Sequence, residues 1–447
     1  MLKDKNYSLT YPKIAALGFA GIVLIGSVLL MLPISSKTGN VHYIDALFTA
    51  TSATCITGLV TFDTFTNWTV FGQIVIIVLI QIGGLGFITL LSLAVRMTKQ
   101  KMSLKQKMLL KESVGSLNLG DVKRLFSSVI IFTFSCELAG AALLSTRFIP
   151  LAGLRRGVYM SLFTSISAFC NAGFDLMGMF SPSSSLTTVN GDPVILITTS
   201  LLIVFGGLGF IVWQDMKSVK FKYKKFSPYT KLILITTAIL LIGGSVLFLF
   251  FEYNNTFADM SLGKKLLNAW FCSVTPRTAG FNSVDIAAMT PQSKMITIIL
   301  MFIGGSSGST AGGVKTGTIA VLFLCVLSDL KNKNEIELFD HRVTLGTVKK
   351  AISIVCTNLA LLFAGVIIIT LNQPVFDLIN VVYECASALG TVGITTGITP
   401  QLSTLSKIII ISLMYIGRLT SLIFALSFVK NRAKTTTQKP RCNIMVG

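Results

Sequence analysis

The stretch Thr54-Cys55-Ile56-Thr57-Gly58-Leu59 closes a short run of apolar and hydroxyl residues, and versions of it occur four times along the chain. Leu47-Phe48-Thr49 with Ser52-Ala53 aligns with Leu162-Phe163-Thr164 with Ser167-Ala168, and in that register Gly58 falls on Gly173. The third copy is Ala269-Trp270-Phe271-Cys272-Ser273-Val274-Thr275-Pro276-Arg277-Thr278-Ala279-Gly280-Phe281. The fourth runs Val381-Val382-Tyr383-Glu384-Cys385-Ala386-Ser387-Ala388-Leu389-Gly390-Thr391-Val392-Gly393-Ile394. Successive glycines lie 115, 107 and 113 residues apart. Four near-equal repeats in one chain predict four quarters around one axis, with these segments at its centre.

Working outward, the rest of the chain reads as membrane. Of its 447 residues 52% are hydrophobic and 13% charged, against about 25% charged in soluble domains; mean hydropathy is +0.75. A spanning helix needs about 20 apolar residues. Such runs occur at residues 14–32, 71–95, 125–144, 194–212, 232–251, 351–371 and 408–428, and an eighth, 295–328, is interrupted in its middle. The expectation is an all-α integral membrane protein with eight transmembrane helices in four pseudo-symmetric helix–pore loop–helix units around one pore. The units divide at residues 1–98, 99–218, 219–333 and 334–430, and a tail follows at 431–447.

The net charge of +20 is not spread evenly. Lysines and arginines crowd residues 96–124, 217–231, 331–350 and 430–441, whereas the alternate loops hold mainly Lys37, Arg155, Arg156, Lys264 and Lys265. By the positive-inside rule both termini are expected in the cytoplasm of a multi-pass cell-membrane protein. The basic loops then face anionic lipid and are compatible with docking a cytoplasmic partner, and nucleic acid is not expected as one. The run 14–32 is too long for a cleaved signal peptide and lacks a small-residue cleavage site. The eight cysteines form no CxxC pair, so buried thiols are expected rather than disulfides or a metal centre.

Within each quarter the segment before the glycine is too short to cross; in the first, Asp45 opens residues 46–54. A non-helical return at membrane depth is tolerated only where it is buried in protein or lines water. Four such returns supply strips of carbonyl oxygens able to replace a cation's hydration shell. Glycine at the tightest point keeps side chains out of the lumen, and the short helices direct their negative C-terminal ends at the cavity. The following spans also repeat, with Gly83-Gly84-Leu85-Gly86, Gly206-Gly207-Leu208-Gly209, Gly304-Gly305 and Gly417-Arg418; these read as close helix packing. The third quarter departs: Gly304-Gly305-Ser306-Ser307-Gly308-Ser309-Thr310-Ala311-Gly312-Gly313-Val314-Lys315-Thr316-Gly317 cannot be a continuous lipid-facing helix and reads as a gate in the pore. It is not a nucleotide loop, because Val314 separates Gly313 from Lys315 and no strand precedes it.

Together these features resemble the superfamily of Trk, Ktr and HKT potassium transporters, most closely the membrane subunits of bacterial Ktr systems. The resemblance runs from the first span to Phe428. Its specific points are Phe48-Thr49-Ala50 leading to Thr57-Gly58-Leu59, Asn171-Ala172-Gly173-Phe174, Thr275 through Asn282, Gly390-Thr391-Val392-Gly393, Ile416-Gly417-Arg418 and the glycine-rich loop. It implies K+ uptake through a selectivity filter, a homodimer, and a cytoplasmic nucleotide-binding ring that controls the gate. No cofactor is expected on this chain itself. The implied filter comprises Thr54, Cys55, Ile56, Thr57 and Gly58; Cys170, Asn171, Ala172 and Gly173; Arg277, Thr278, Ala279 and Gly280; and Gly390, Thr391, Val392 and Gly393. Backbone carbonyls of Thr57, Gly58, Ala172, Gly173, Ala279, Gly280, Val392 and Gly393 are the expected K+ ligands. In this superfamily serine at the first filter glycine accompanies sodium permeation; Gly58 resembles the potassium-selective type. Each quarter keeps little more than the glycine of a full channel signature.

Charges inside the membrane are costly and usually functional. Arg418 sits in the last span, and the resemblance places it beside the gate as a barrier to cations. Arg277 is expected to point behind the filter and pair with Glu384 or Glu137, and Lys315 to pair with an acid in one gate state. Asp63, Asp175 and Asp285 follow their glycines closely and are expected to concentrate cations at the outer mouth. An enzyme is not expected: the two histidines, His42 and His341, have no nucleophile or metal cluster beside them. A sodium- or proton-coupled symporter is the alternative, but such carriers usually show inverted repeats, whereas these run in one direction.

Overall fold

The computed structural model describes residues 11–86, 122–333 and 335–419. The expected basic loop up to residue 121, the last parts of the runs 71–95 and 408–428, and the C-terminal tail lie outside the described residues. The chain is helical, in the order α1 (Tyr11–Met31), α2 (Tyr43–Cys55), a four-residue α3 (Thr64–Asn67), α4 (Val70–Leu85), α5 (Val122–Ala152), α6 (Leu154–Cys170), α7 (Pro193–Leu208) and α8 (Phe210–Ser218). There follow α9 (Pro228–Glu252), α10 (Leu262–Val274), α11 (Pro291–Phe302), α12 (Thr316–Leu330), α13 (Leu345–Asn372), α14 (Leu378–Gly390) and α15 (Thr404–Leu419). A two-residue hairpin, Glu337–Leu338 paired with His341–Arg342, joins α12 to α13.

Ser128–Ala152, Pro228–Glu252 and Leu345–Asn372 are long and apolar enough to cross a membrane, and α7 with α8 makes a fourth if the bent pair is one span. The protein is therefore a multi-pass membrane protein. Several helices begin where local chemistry dictates. Asp192, Ser227 and Thr290 cap α7, α9 and α11 by accepting from backbone N–H groups one turn on, and each is followed by proline at the first helical position. Cap and proline both suit the orphan donors of a helix N-terminus.

Two expected spans prove different. The run 194–212 is not straight: α7 stops at Leu208, and α8 leaves at 89°. Gly209 makes the corner at φ +89, a region open to glycine and costly to other residues. The run 71–95 likewise ends its helix at Leu85, with Gly86 at φ +79. The interrupted run 295–328 resolves into α11 and α12 with residues 303–315 between them.

Packing turns the linear order into a cycle. The short helices α2, α6, α10 and α14 each lie on the long helix before them. Each also meets a helix of the preceding repeat, α6 touching α4, α10 touching α7 and α14 touching α11, while α15 returns to α2. That last contact carries a buried ion pair, Lys407 Nζ to Asp45 Oδ1 at 2.6 Å, with side chains 13% and 5% exposed. Breaking such a pair leaves one charge stranded, at a cost of about 3–5 kcal/mol. Asp45→Asn is therefore expected to lower the unfolding temperature in detergent, and adding Lys407→Met to restore most of it. Equal melting of wild type and Asp45→Asn would show that the pair does not hold the closure.

Candidate functional site

The four glycines of the repeats meet. A Cβ built on Gly58 would lie 2.5 Å from the Ala172 carbonyl oxygen, one on Gly173 2.9 Å from that of Ala279, one on Gly280 2.6 Å from that of Val392, and one on Gly393 2.0 Å from that of Thr57. Each glycine thus faces the carbonyl before the next glycine, and the fourth faces the first. Only a hydrogen fits in these positions.

The backbone around each glycine repeats one pattern. Ile56, Asn171 and Thr391 end α2, α6 and α14 in the left-handed region at φ 58, 59 and 51. Thr278 holds the same place after α10 at φ 72. Two residues later come Gly58, Gly173, Gly280 and Gly393, again with positive φ, of 93, 71, 84 and 95. A left-handed residue costs about 1–3 kcal/mol where it is β-branched, as Ile56, Thr278 and Thr391 are, and such strain clusters at functional sites. Serines tie the strips back: Ser52 Oγ accepts from Gly58 N–H and Ser387 Oγ from Gly393 N–H, both at 3.0 Å. In the third strip Thr275 Oγ1 donates to the Phe281 carbonyl at 2.6 Å. The sequence reading lacked these three residues as site members, although Ser52 and Ser387 stand six positions before their glycines. Of the expected filter residues, Thr54, Cys55, Cys170 and Gly390 lie in the last turns of their helices, behind the strips.

On the side beyond the glycines opens a cavity of ≈ 750 Å³ lined by all four of them and by Asp63, Asp175 and Asp285. These acids are not free. Asp63 accepts from the N–H groups of Thr66 and Ser183, Asp175 from Met177 and Asp285 from Ala287.

On the opposite side lies the loop 303–315. A Cβ on Gly312 would meet Thr391 Oγ1 at 2.0 Å, and one on Gly313 the Gly390 carbonyl at 3.3 Å. The Asn171 amide meets the Thr310 hydroxyl at 3.2 Å. The loop is held by the corner at Gly209. Ending α7 there frees the carbonyls of its last turn and the N–H of Phe210, groups that need partners at membrane depth. The loop supplies them: Ser306 N–H donates to Gly207 at 3.0 Å, the Ser306 hydroxyl donates to Leu208, and Phe210 N–H donates to Gly308 at 2.8 Å. From the other side Arg418 donates to the carbonyls of Thr310 and Gly83, bridging the loop to α4.

Two expected partnerships are corrected. Arg277 bonds neither Glu384 nor Glu137; its Nη2 donates to Thr316 Oγ1 at 3.1 Å. Glu384 is occupied by the hydroxyls of Thr395 and Thr399, and Glu137 by Gln81 and Cys170. Small hydroxyl and amide neighbours had already satisfied both acids, and sequence spacing does not reveal them. Lys315 makes no ion pair among the described residues; its Nζ donates to the loop's own carbonyls of Ala311 and Gly312 at 2.7 and 3.2 Å. The repeated span glycines do pack closely. A Cβ on Gly83, Gly206 or Gly417 would lie 2.0–2.1 Å from the carbonyl of Thr54, Phe169 or Leu389 at the end of a short helix.

Comparison with known proteins agrees with this picture. The TrkH family, described as cation transport proteins, matches residues 16–437. The chain is 42% identical to the Ktr system potassium uptake protein B of Bacillus subtilis, over 94% of this chain and 93% of that protein. It is 39% identical to the potassium/sodium uptake protein NtpJ of Enterococcus hirae, over 100% of this chain and 99% of that one. The crystal structure of the potassium transporter TrkH from Vibrio parahaemolyticus superposes with a TM-score of 0.74 at 18% identity, covering 96% of this chain and 86% of that chain; at that identity the likeness speaks to the fold.

Proposed function

This chain belongs to the TrkH family of cation transport proteins, and we propose that it passes potassium through the ring at Gly58, Gly173, Gly280 and Gly393. Potassium transport is its activity. The observation that carries the route is the closed cycle of glycine-to-carbonyl approaches, which brings the strips bearing the oxygens of Thr57, Ala172, Ala279 and Val392 together. Carbonyl dipoles so arranged replace the water of a partly dehydrated K+, with the four glycine carbonyls as a second layer. Four pseudo-symmetric units and eight membrane crossings build the pore, the cavity of ≈ 750 Å³ is its outer mouth, and the loop 303–315 with Arg418 is its gate. Both termini are then cytoplasmic in the cell membrane. Lipid contact, a homodimer and control by a cytoplasmic nucleotide-binding ring complete the reading; the Bacillus subtilis relative named for a Ktr system supports a multi-component assembly. This chain itself holds no nucleotide and performs no catalysis.

The test is growth of an uptake-deficient bacterium in limiting potassium with this chain and a Ktr regulatory subunit. Rescue supports the reading; absence of rescue, with the chain shown to be in the membrane, overturns it. The mouth adds a pH dependence. Burial pushes the Asp175 carboxyl up to about 6, against the lowering pull of hydrogen bonds from Met177 and Ser185, and the nearby Asp63 charge adds to the rise. Above that pH the group is charged and draws cations; below it the group is neutral and the attraction is lost. Uptake at low external potassium is expected to fall as pH drops from 7 to 5, and Asp175→Asn to flatten the profile.

A further inference from the structure

We infer that Arg277 is a positioning residue that fastens the neck of the 303–315 loop to the third strip of the ring, so that ring and loop change together. The inference rests on the reading of the ring as the filter and the loop as the gate.

Arg277 stands in the strip itself, immediately before Thr278 and two residues before the Ala279 carbonyl that faces Gly173. Its side chain leaves the ring and reaches Thr316, the first residue of α12 and fully buried. The Thr316 hydroxyl donates onward to the Gly304 carbonyl at 2.9 Å, and its N–H donates to that of Gly305 at 3.0 Å. Gly304 N–H in turn donates to Val314 at 2.9 Å. The two ends of the loop are thus laced together at one point, and the guanidinium holds that point.

The choice of residue is otherwise hard to explain. Arg277 is 7% exposed and makes no ion pair among the described residues. Burying a charge without a counter-charge is expensive, and an apolar side chain would fill the space at less cost. Its Nε has no partner among the described residues. A small cavity of ≈ 10 Å³ adjoins it, bounded by Gly207, Leu208, Thr237, Val274 and Gly305. That space is about the size of one water, too small for the guanidinium, so Arg277 is held against Thr316 between the end of α7 and the start of the loop. Loss of the bond to Thr316 then unlaces the neck and releases the third strip in the same step.

Thr316→Val keeps the shape and deletes the hydroxyl that links Arg277 to Gly304. In proteoliposomes loaded with potassium, rubidium uptake by Thr316→Val is expected to be faster than wild type, and inhibition by sodium to be about tenfold stronger, the effect of one lost charge-assisted hydrogen bond. Thr316→Ser is expected to restore wild-type discrimination. Arg277→Gln, which keeps a donor but loses the charge, should move discrimination the same way as Thr316→Val. Arg418→Ala serves as the comparison, because it loosens the loop without touching the third strip and should change rate alone. Thr316→Val with altered rate but unchanged sodium inhibition, or with neither changed, overturns the coupling. A loss of uptake with discrimination intact would mark Thr316 as structural only and overturns it too. If wild-type vesicles take up no rubidium, the transport reading falls first and the coupling falls with it.

Discussion

Replacing Gly393 with alanine is expected to destroy discrimination between potassium and sodium while leaving the protein in the membrane. The new methyl group would sit 2.0 Å from the Thr57 carbonyl oxygen and 2.8 Å from Gly58 Cα. Both are backbone atoms, so no side chain can swing aside to relieve the contact. The residue would also hold φ 95, which costs an L-residue about 1–2 kcal/mol before any clash is counted. The carbonyl has to move, and a displaced ligand no longer matches K+. A loss of at least about tenfold in selectivity corresponds to only ~1.4 kcal/mol, less than the combined strain. The same geometry ranks the other corners. Carbonyl approaches of 2.5 Å at Gly58, 2.6 Å at Gly280 and 2.9 Å at Gly173 predict damage in that order after Gly393. Gly21→Ala in α1, with nothing within 4 Å of its built Cβ, is the harmless control. Rubidium uptake with sodium competition measures all five; a selective Gly393→Ala transporter would show that the ring is not the filter.

Arg418→Ala is expected to act in the opposite direction and raise flux. The guanidinium bridges the Gly83 and Thr310 carbonyls, so it contributes a tether on the loop and, on the proposed reading, a positive charge beside the path. Two unit charges 4 Å apart at a protein-like effective dielectric repel by about 4 kcal/mol, which bounds the barrier from above. An increase of at least about tenfold in initial uptake rate needs a third of that. Arg418→Lys separates the two contributions: it keeps the charge but loses the planar fork that reaches two carbonyls at once. If tethering dominates, lysine behaves like alanine; if charge dominates, it behaves like arginine. Unchanged rates in both variants would remove Arg418 from the gate.

What could be read from residues alone was whatever repeats. Gly58, Gly173, Gly280 and Gly393 stood out because the same demand on the backbone was written four times, and the structure brings them together. The broken third-quarter helix was equally legible, since Gly304 through Gly317 offers no apolar face. The corner at Gly209 was not. Leu208-Gly209-Phe210 reads as ordinary helix packing, although the matching Leu85-Gly86 also ends its helix with positive φ; the loop about 100 residues later, which satisfies the opened hydrogen bonds, has no local mark. Arg277 failed for a related reason. Charge arithmetic offers it a carboxylate, but Glu384 and Glu137 were already served by Thr395, Thr399, Gln81 and Cys170. Which polar neighbours arrive first is decided in three dimensions.

The four corners come from one polypeptide and are not copies of one another: threonine, alanine, alanine and valine precede the glycines. A ring of identical subunits can alter its oxygens only all together, because one codon speaks for every corner. Here a single substitution retunes a quarter of the perimeter and leaves three quarters standing. Ion preference in such a molecule can therefore be altered one corner at a time.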